Sequence, residues 1–194
     1  MAWVPCEKAH ARTLDEQIRR RSKRDHMKSG NQRILVVAAR TERIGCVVVE
    51  SGDLVFWEGS AEMAKDAEGA AKQLRAWIHE FQPDIVVSEN PDAAGKKSGV
   101  QIPILQAFVE VGQDVQAVNL VVRRERPFQN VYDEAKCLAE EFPDLEGMVP
   151  EKPPIWGKEP YNLVFFEALA LVRDAGLLQP LARSANVKTE VEAE

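Results

Sequence analysis

Residues 34–49, ILVVAARTERIGCVVV, decide how this chain folds. The first part, Ile34 to Ala39, is apolar without interruption, the pattern of a central strand covered on both faces. Arg40, Thr41, Glu42 and Arg43 break the run, and Ile44 to Val49 resumes with the β-branched residues that suit strands. The two halves read as a hairpin. Ser51-Gly52-Asp53 is a second turn signal, and Leu54 to Trp57 reads as a third antiparallel strand.

The period then changes. Met63, Ala67, Ala71, Leu74, Ile78 and Phe81 recur at three- and four-residue spacing and predict an amphipathic helix that Gln82-Pro83 stops. Residues 84–88, DIVVS, read as a short buried strand ending on Glu89. Residues 93–99 form a glycine-flanked basic loop with Lys96 and Lys97. A helix over 104–111 follows, with Pro103 as its first residue and Gly112 closing it. Residues 115–122 read as a strand with Arg123, Arg124 and Arg126 just beyond it, and residues 130–142 as a further amphipathic helix. From Pro143 to Pro160 the chain is irregular and proline-rich. Its large aromatic, Trp156, is expected to pin the loop to the core rather than to stack on a base. A last helix carries Leu163, Phe166, Ala170 and Leu171 on one face.

With this element order in place, three segments resemble the RuvC-like Holliday-junction resolvases of the RNase H-like superfamily. The family's first strand reads approximately ILGIDPGTRRTGYGVV, and Ile34, Leu35, Thr41, Arg43, Gly45, Val48 and Val49 fit it without a gap. Its Asp-Pro-Gly is Ala38-Ala39-Arg40 here. Residues 83–89, PDIVVSE, are similar to the family's Pro-Asp strand that ends in a metal-binding Glu, which places Glu89 on that ligand. Residues 164–170, VFFEALA, are similar to its C-terminal Asp-x-x-Asp-Ala-Leu-Ala, with Val164 for the first acid and Glu167 for the second.

The resemblance covers about residues 33–175 and implies a mixed α/β sheet of about five strands, three antiparallel and then parallel, flanked by helices. It also implies phosphodiester cleavage by two Mg²⁺ or Mn²⁺ ions about 3.5–4 Å apart. Such ions are held by carboxylates and water, and four acids are usual in this family. Glu89 and Glu167 remain as the candidate catalytic and metal-binding pair; Ala38 and Val164 cannot ligate. Glu42 and Glu159 are the acids with some prospect of reaching in. Residues read only on their own terms leave blander roles open: Glu89 as a solvated strand-end residue, Glu167 at the edge of an apolar helix face.

Charge is divided unevenly. Residues 1–33 hold nine Lys or Arg against four Asp or Glu, a net of about +5, so the rest carries about −11 of the overall −6. Residues 1–32, with Arg19, Arg20 and Arg21, read as a basic arm able to bind phosphates by counterion release, or else as a solubilising tail. Residues 33–178 read as the RuvC-like domain and 179–194 as an acidic flexible tail. Lys96, Lys97, Arg123, Arg124 and Arg126 are further candidates for phosphate contact, since ligands of open α/β sheets collect at the carboxyl ends of strands. Solvated loop residues are the alternative.

There is no Gly-rich phosphate loop, no signal-peptide pattern and no apolar run near 18 residues. Cys6, Cys46 and Cys137 are too widely spaced for a zinc site and fit a reducing cytoplasm. The reading that results is a RuvC-like nucleic-acid-binding protein of recombination or repair, a homodimer by resemblance, whose missing acids argue against cleavage. An active Mg²⁺-dependent endonuclease on branched DNA and a non-catalytic protein-interaction module are the alternatives. Metal is required only under the first of these.

Overall fold

The computed structural model describes residues 32–95 and 97–178. Within them, β1 (Arg33–Arg40) and β2 (Arg43–Glu50) pair antiparallel in unbroken register from Arg33 opposite Glu50 to Arg40 opposite Arg43. Ser51 and Gly52, both at positive φ, close the next two-residue turn, which suits the twist of a hairpin. β3 (Asp53–Ser60) then pairs with β2 over a length greater than the four apolar residues suggested, with a register shift beside Val48 and Val49. β4 (Ile85–Glu89) and β5 (Val118–Val122) add in parallel on the other side of β1, giving the order β3-β2-β1-β4-β5. The three antiparallel strands followed by parallel ones are as expected from the sequence.

Among the described residues, four α-helices cover the two faces. On one face Leu35, Val37, Ala39, Ile44, Cys46 and Val48 pack with Leu74 and Trp77 of α1 (Ala67–Phe81) and with Ile104, Leu105 and Phe108 of α2 (Gln101–Asp114). On the other, Ile34, Val36, Ala38, Val47 and Val49 pack with α3 (Val131–Glu141) and α4 (Leu163–Asp174). Double coverage explains why β1 lacks alternation: every second residue faces a different core.

Helix boundaries follow local chemistry. Asp66 caps α1 by accepting from the Gly69 N–H at 2.7 Å, which leaves Met63 in a preceding 3₁₀ turn. Gln82, at φ 44°, ends it. The buried Trp77 belongs to its core face; its indole N–H donates to Glu58 at 2.5 Å. Pro103 sits in the first turn of α2, but Gly112 does not close that helix, which continues to Asp114. A Cβ at Gly112 would meet the Asn119 Oδ1 at 2.5 Å, so glycine here permits close approach to β5. Asn130 caps α3 through the Tyr132 and Asp133 N–H groups. Residues 163–172 of α4 are buried on every side, not along one face, because α4 lies between the sheet and α3.

The packing of α4 against the hairpin is tight at one point. A Cβ on Gly45 would lie 2.7 Å from Val164 Cγ1, and Gly45 stands opposite Ala38 across the β1–β2 ladder. Gly45→Ala is expected to lower stability by about 1–3 kcal/mol in urea unfolding, as overpacking does. Adding Val164→Ala should recover part of that loss; simple additivity of the two changes would contradict the contact.

Candidate functional site

Glu89 is the last residue of β4, where a parallel strand ends beside its neighbour, and it is completely buried. Glu167 lies one helical turn beyond Val164 on α4, also buried. Tertiary folding therefore brings together the two acids that the sequence singled out. Neither is solvated, so the bland reading of Glu89 as a loop residue does not hold.

The group between them is an ammonium. Lys97 Nζ lies 2.7 Å from Glu89 Oε2 and 2.5 Å from Glu167 Oε1, and it also donates to the carbonyl oxygen of Ala39 in β1. The Lys97 side chain is only 7% exposed. A second cation completes the cluster: Arg40, at the end of β1, pairs with Glu167 and with Glu159. Arg126 approaches Glu89 Oε1 at 3.9 Å while its own side chain stays 41% exposed. Three carboxylates are thus matched by three cationic side chains. Glu42 is exposed at the hairpin tip, whereas Glu159 does reach the site, through Arg40.

The two acids sharing Lys97 are not equivalent. Burial pushes the Glu89 carboxyl above its ordinary value, and the pull of Lys97 does not cancel it. Burial acts on Glu167 in the same sense, but Lys97 and Arg40 together outweigh it and hold Glu167 down at about 2. Burial likewise would lower Arg40, yet Glu167 and Glu159 keep it above its usual range. The extra guanidinium on Glu167 is the physical difference: Glu89 takes up a proton first, Glu167 last.

The two Mg²⁺ or Mn²⁺ ions implied by the sequence resemblance do not fit this donor set. Ala38 and Val164 are buried in the same apolar cluster, and a Cβ-sized gap between β2 and α4 is already filled by Val164. Both remaining acids hold cations on oxygens that metal ligation would need. At about 4 Å and an effective dielectric near 20, a divalent ion would be repelled by each neighbouring unit charge by roughly 8 kcal/mol. Among the described residues no three His, Cys, Asp or Glu side chains converge as a metal site.

The other candidates separate sharply. Lys97 was expected in a basic loop facing phosphate, and its charge is turned inward. Arg124 is likewise buried, donating to Glu134 at 2.8 Å and to Asp174, while Arg173 closes the same cluster on Glu134 at 2.6 Å. A buried guanidinium demands such partners, so Arg124 ties the segment after β5 to α3 and α4 and presents no charge to solvent. Arg123 and Arg126 stay exposed. Lys96, Arg19, Arg20 and Arg21 lie outside the described residues. Trp156 does not pin its loop: it is 87% exposed, and Ile155 beside it fully so, on a turn closed by the Gly157 N–H donating to the Pro154 carbonyl at 2.8 Å. The loop is held instead by Glu159 on Arg40 and by Asn162 Nδ2 donating to the Met148 carbonyl. No sequence signal distinguished Lys97 from Lys96, or Arg124 from Arg123.

No described helix is long and apolar enough to cross a membrane. No family model matches this chain, nor does any curated protein. Solved structures do resemble it. Thermus thermophilus RuvC is 14% identical, with 77% of this chain and all of that chain covered and a TM-score of 0.45. T. thermophilus RuvC in complex with Holliday junction substrate is 16% identical over the same shares, at 0.46. Fowlpox virus resolvase, in complex with substrate Holliday junction DNA, is 13% identical, covering 76% of this chain and 100% of that one, with a TM-score of 0.50. At such identities the likeness concerns the fold alone, and with the strand order it shows an RNase H-like fold.

Glu167 governs how this site responds to acid. Its folded value of about 2 lies below the ordinary 4.5, so its contribution is complete above 4.5 and is lost as pH falls toward 2. Glu167→Gln leaves the largely buried Lys97 and the partly buried Arg40 short of a partner and is expected to cost about 2–4 kcal/mol at pH 7. Denaturant midpoints of wild type and variant should converge as pH drops through that window; parallel curves would show that the ion pairs contribute nothing.

Proposed function

We propose that this chain is a non-cleaving RNase H-fold protein that binds nucleic acid in recombination or repair. The observation that carries the non-cleaving half is Lys97 Nζ held between Glu89 and Glu167, where two-metal hydrolysis would need carboxylates free for ions. Ala38 and Val164, packed into the core, remove the remaining donors.

The binding half rests on charge and fold. Residues 1–33 carry a net of about +5 on a chain of net −6, a local basic segment suited to phosphate contact. Exposed Arg123 and Arg126 add cations at the end of β5 and beside the candidate site. The fold is one that a Holliday-junction-bound solved structure shares, which favours branched DNA over other nucleic acids, and the resemblance of the sequence motifs favours a homodimer. An acidic body limits the contact to these local patches.

Branched DNA incubated with the protein in Mg²⁺ or Mn²⁺ is expected to remain intact, with or without Glu89→Gln. Metal-dependent cleavage that Glu89→Gln abolishes would restore the reading as an active endonuclease. Junction binding should weaken steeply with salt, and replacing Arg19, Arg20 and Arg21 together by Ala should flatten the log–log slope by about 2–3. A slope that does not move would remove the arm from the interface.

The exposed Ile155-Trp156 turn favours a second reading, a protein-interaction module, because paired large apolar side chains on a fixed turn suit the centre of a protein interface. Association with a protein through this turn would be nearly indifferent to salt and lost in Trp156→Ala. Nucleic-acid binding through the basic patches would show the opposite pattern.

A further inference from the structure

Three oxygens from three elements converge on Lys97 Nζ: Glu89 Oε2 at the end of β4, Glu167 Oε1 on α4, and the Ala39 carbonyl of β1. Two carboxylates and a backbone carbonyl are donors that also suit a hard divalent cation completed by water. The loop that delivers the ammonium is shaped for it. Gly95 and Gly99, on either side, adopt φ 65° and φ 60°, the left-handed region glycine enters without strain. At Gly95 a side chain would in addition meet Arg126 Nη1 at 2.9 Å. Glycine at these two positions lets the loop turn without backbone strain, and the loop places the long cationic side chain of Lys97 among the oxygens of the candidate site.

We infer that the Lys97 ammonium is the resident cation of this site, and that it and a divalent ion exclude one another from the same three oxygens. This rests on the non-cleaving reading and deepens it: the acidic pair is kept as the socket of a tethered cation. A covalently attached ammonium is present at a high effective concentration, so a mobile ion must outcompete it to enter. Arg40 on the far oxygen of Glu167 leaves only one cation position between the acids.

The test is Mn²⁺ binding, followed by electron paramagnetic resonance and by thermal unfolding, on the full chain. Wild type is expected to take up no Mn²⁺ at this site, and its Tm should be unmoved by Mn²⁺ or by EDTA. Lys97→Met keeps most of the stem and removes the charge. It should be less stable than wild type and bind one Mn²⁺, with Tm rising by about 5–10 °C at an ion concentration about 100 times Kd. Lys97→Met combined with Glu89→Gln should lose that response.

Wild-type Mn²⁺ binding that Glu89→Gln removes would overturn the inference, whatever the variants do. So would a folded Lys97→Met that takes up no ion. If that variant fails to fold alone, folding in Mn²⁺ supports the exchange, and failure in Mn²⁺ as well counts against it. DNA cleavage by the wild type bears on the proposed function only, so the two claims fail separately.

Discussion

Two carboxylates buried within reach of one another cannot be left as they are. Each would lose the water that solvates its charge, and together they would repel, so a fold that buries Glu89 and Glu167 must either protonate them or bring positive charge to them. Here the charge comes from Lys97 and Arg40. The rest of the site follows from that requirement. The glycine-flanked loop before α2 turns inward to deliver Lys97, the end of β1 delivers Arg40, and Arg40 in turn holds Glu159 and with it the proline-rich loop before α4. A cluster of this kind joins β1, β4, α4 and two loops.

Ala38 and Val164, the positions where the resemblance read from the sequence would put acids, belong to the same logic. Both positions sit in the core between the sheet and α4, and Val164 is packed close enough that Gly45 has no room for a side chain. Ala38 and Val164 are filled in by apolar contact, and Glu89 and Glu167 are neutralised by tethered cations. Neither pair has the open, negatively charged oxygens that two divalent ions require.

A second buried network, Arg124 with Glu134, Asp174 and Arg173, repeats the principle at the other end of α4. It divides the arginines after β5 by role. Arg124 closes the junction of β5 with α3 and α4, while Arg123 and Arg126 remain outside. The three are near neighbours of one chemical type, and nothing in their local sequence separates them.

The hairpin, the main helices and the short strand ending on Glu89 were legible in the sequence because they rest on local periodicity, whereas the mixed sheet and the grouping of Glu89 with Glu167 were implied by the resemblance of three short motifs to a known family. Element ends were less so: β3 was longer than its apolar residues, α2 ran through Gly112, and Met63 lay outside α1, since hydrogen-bond ladders and caps set those limits. Which charges turn inward was decided only by the tertiary structure. Lys97 and Ala39 are 58 positions apart, Arg40 and Glu167 127, Arg124 and Asp174 50. Charge type is visible residue by residue, but its fate depends on whether a distant backbone or carboxylate is brought within hydrogen-bonding distance. The exposure of Trp156 was likewise decided only in three dimensions: Glu159 on Arg40, not the aromatic, ties the loop to the fold.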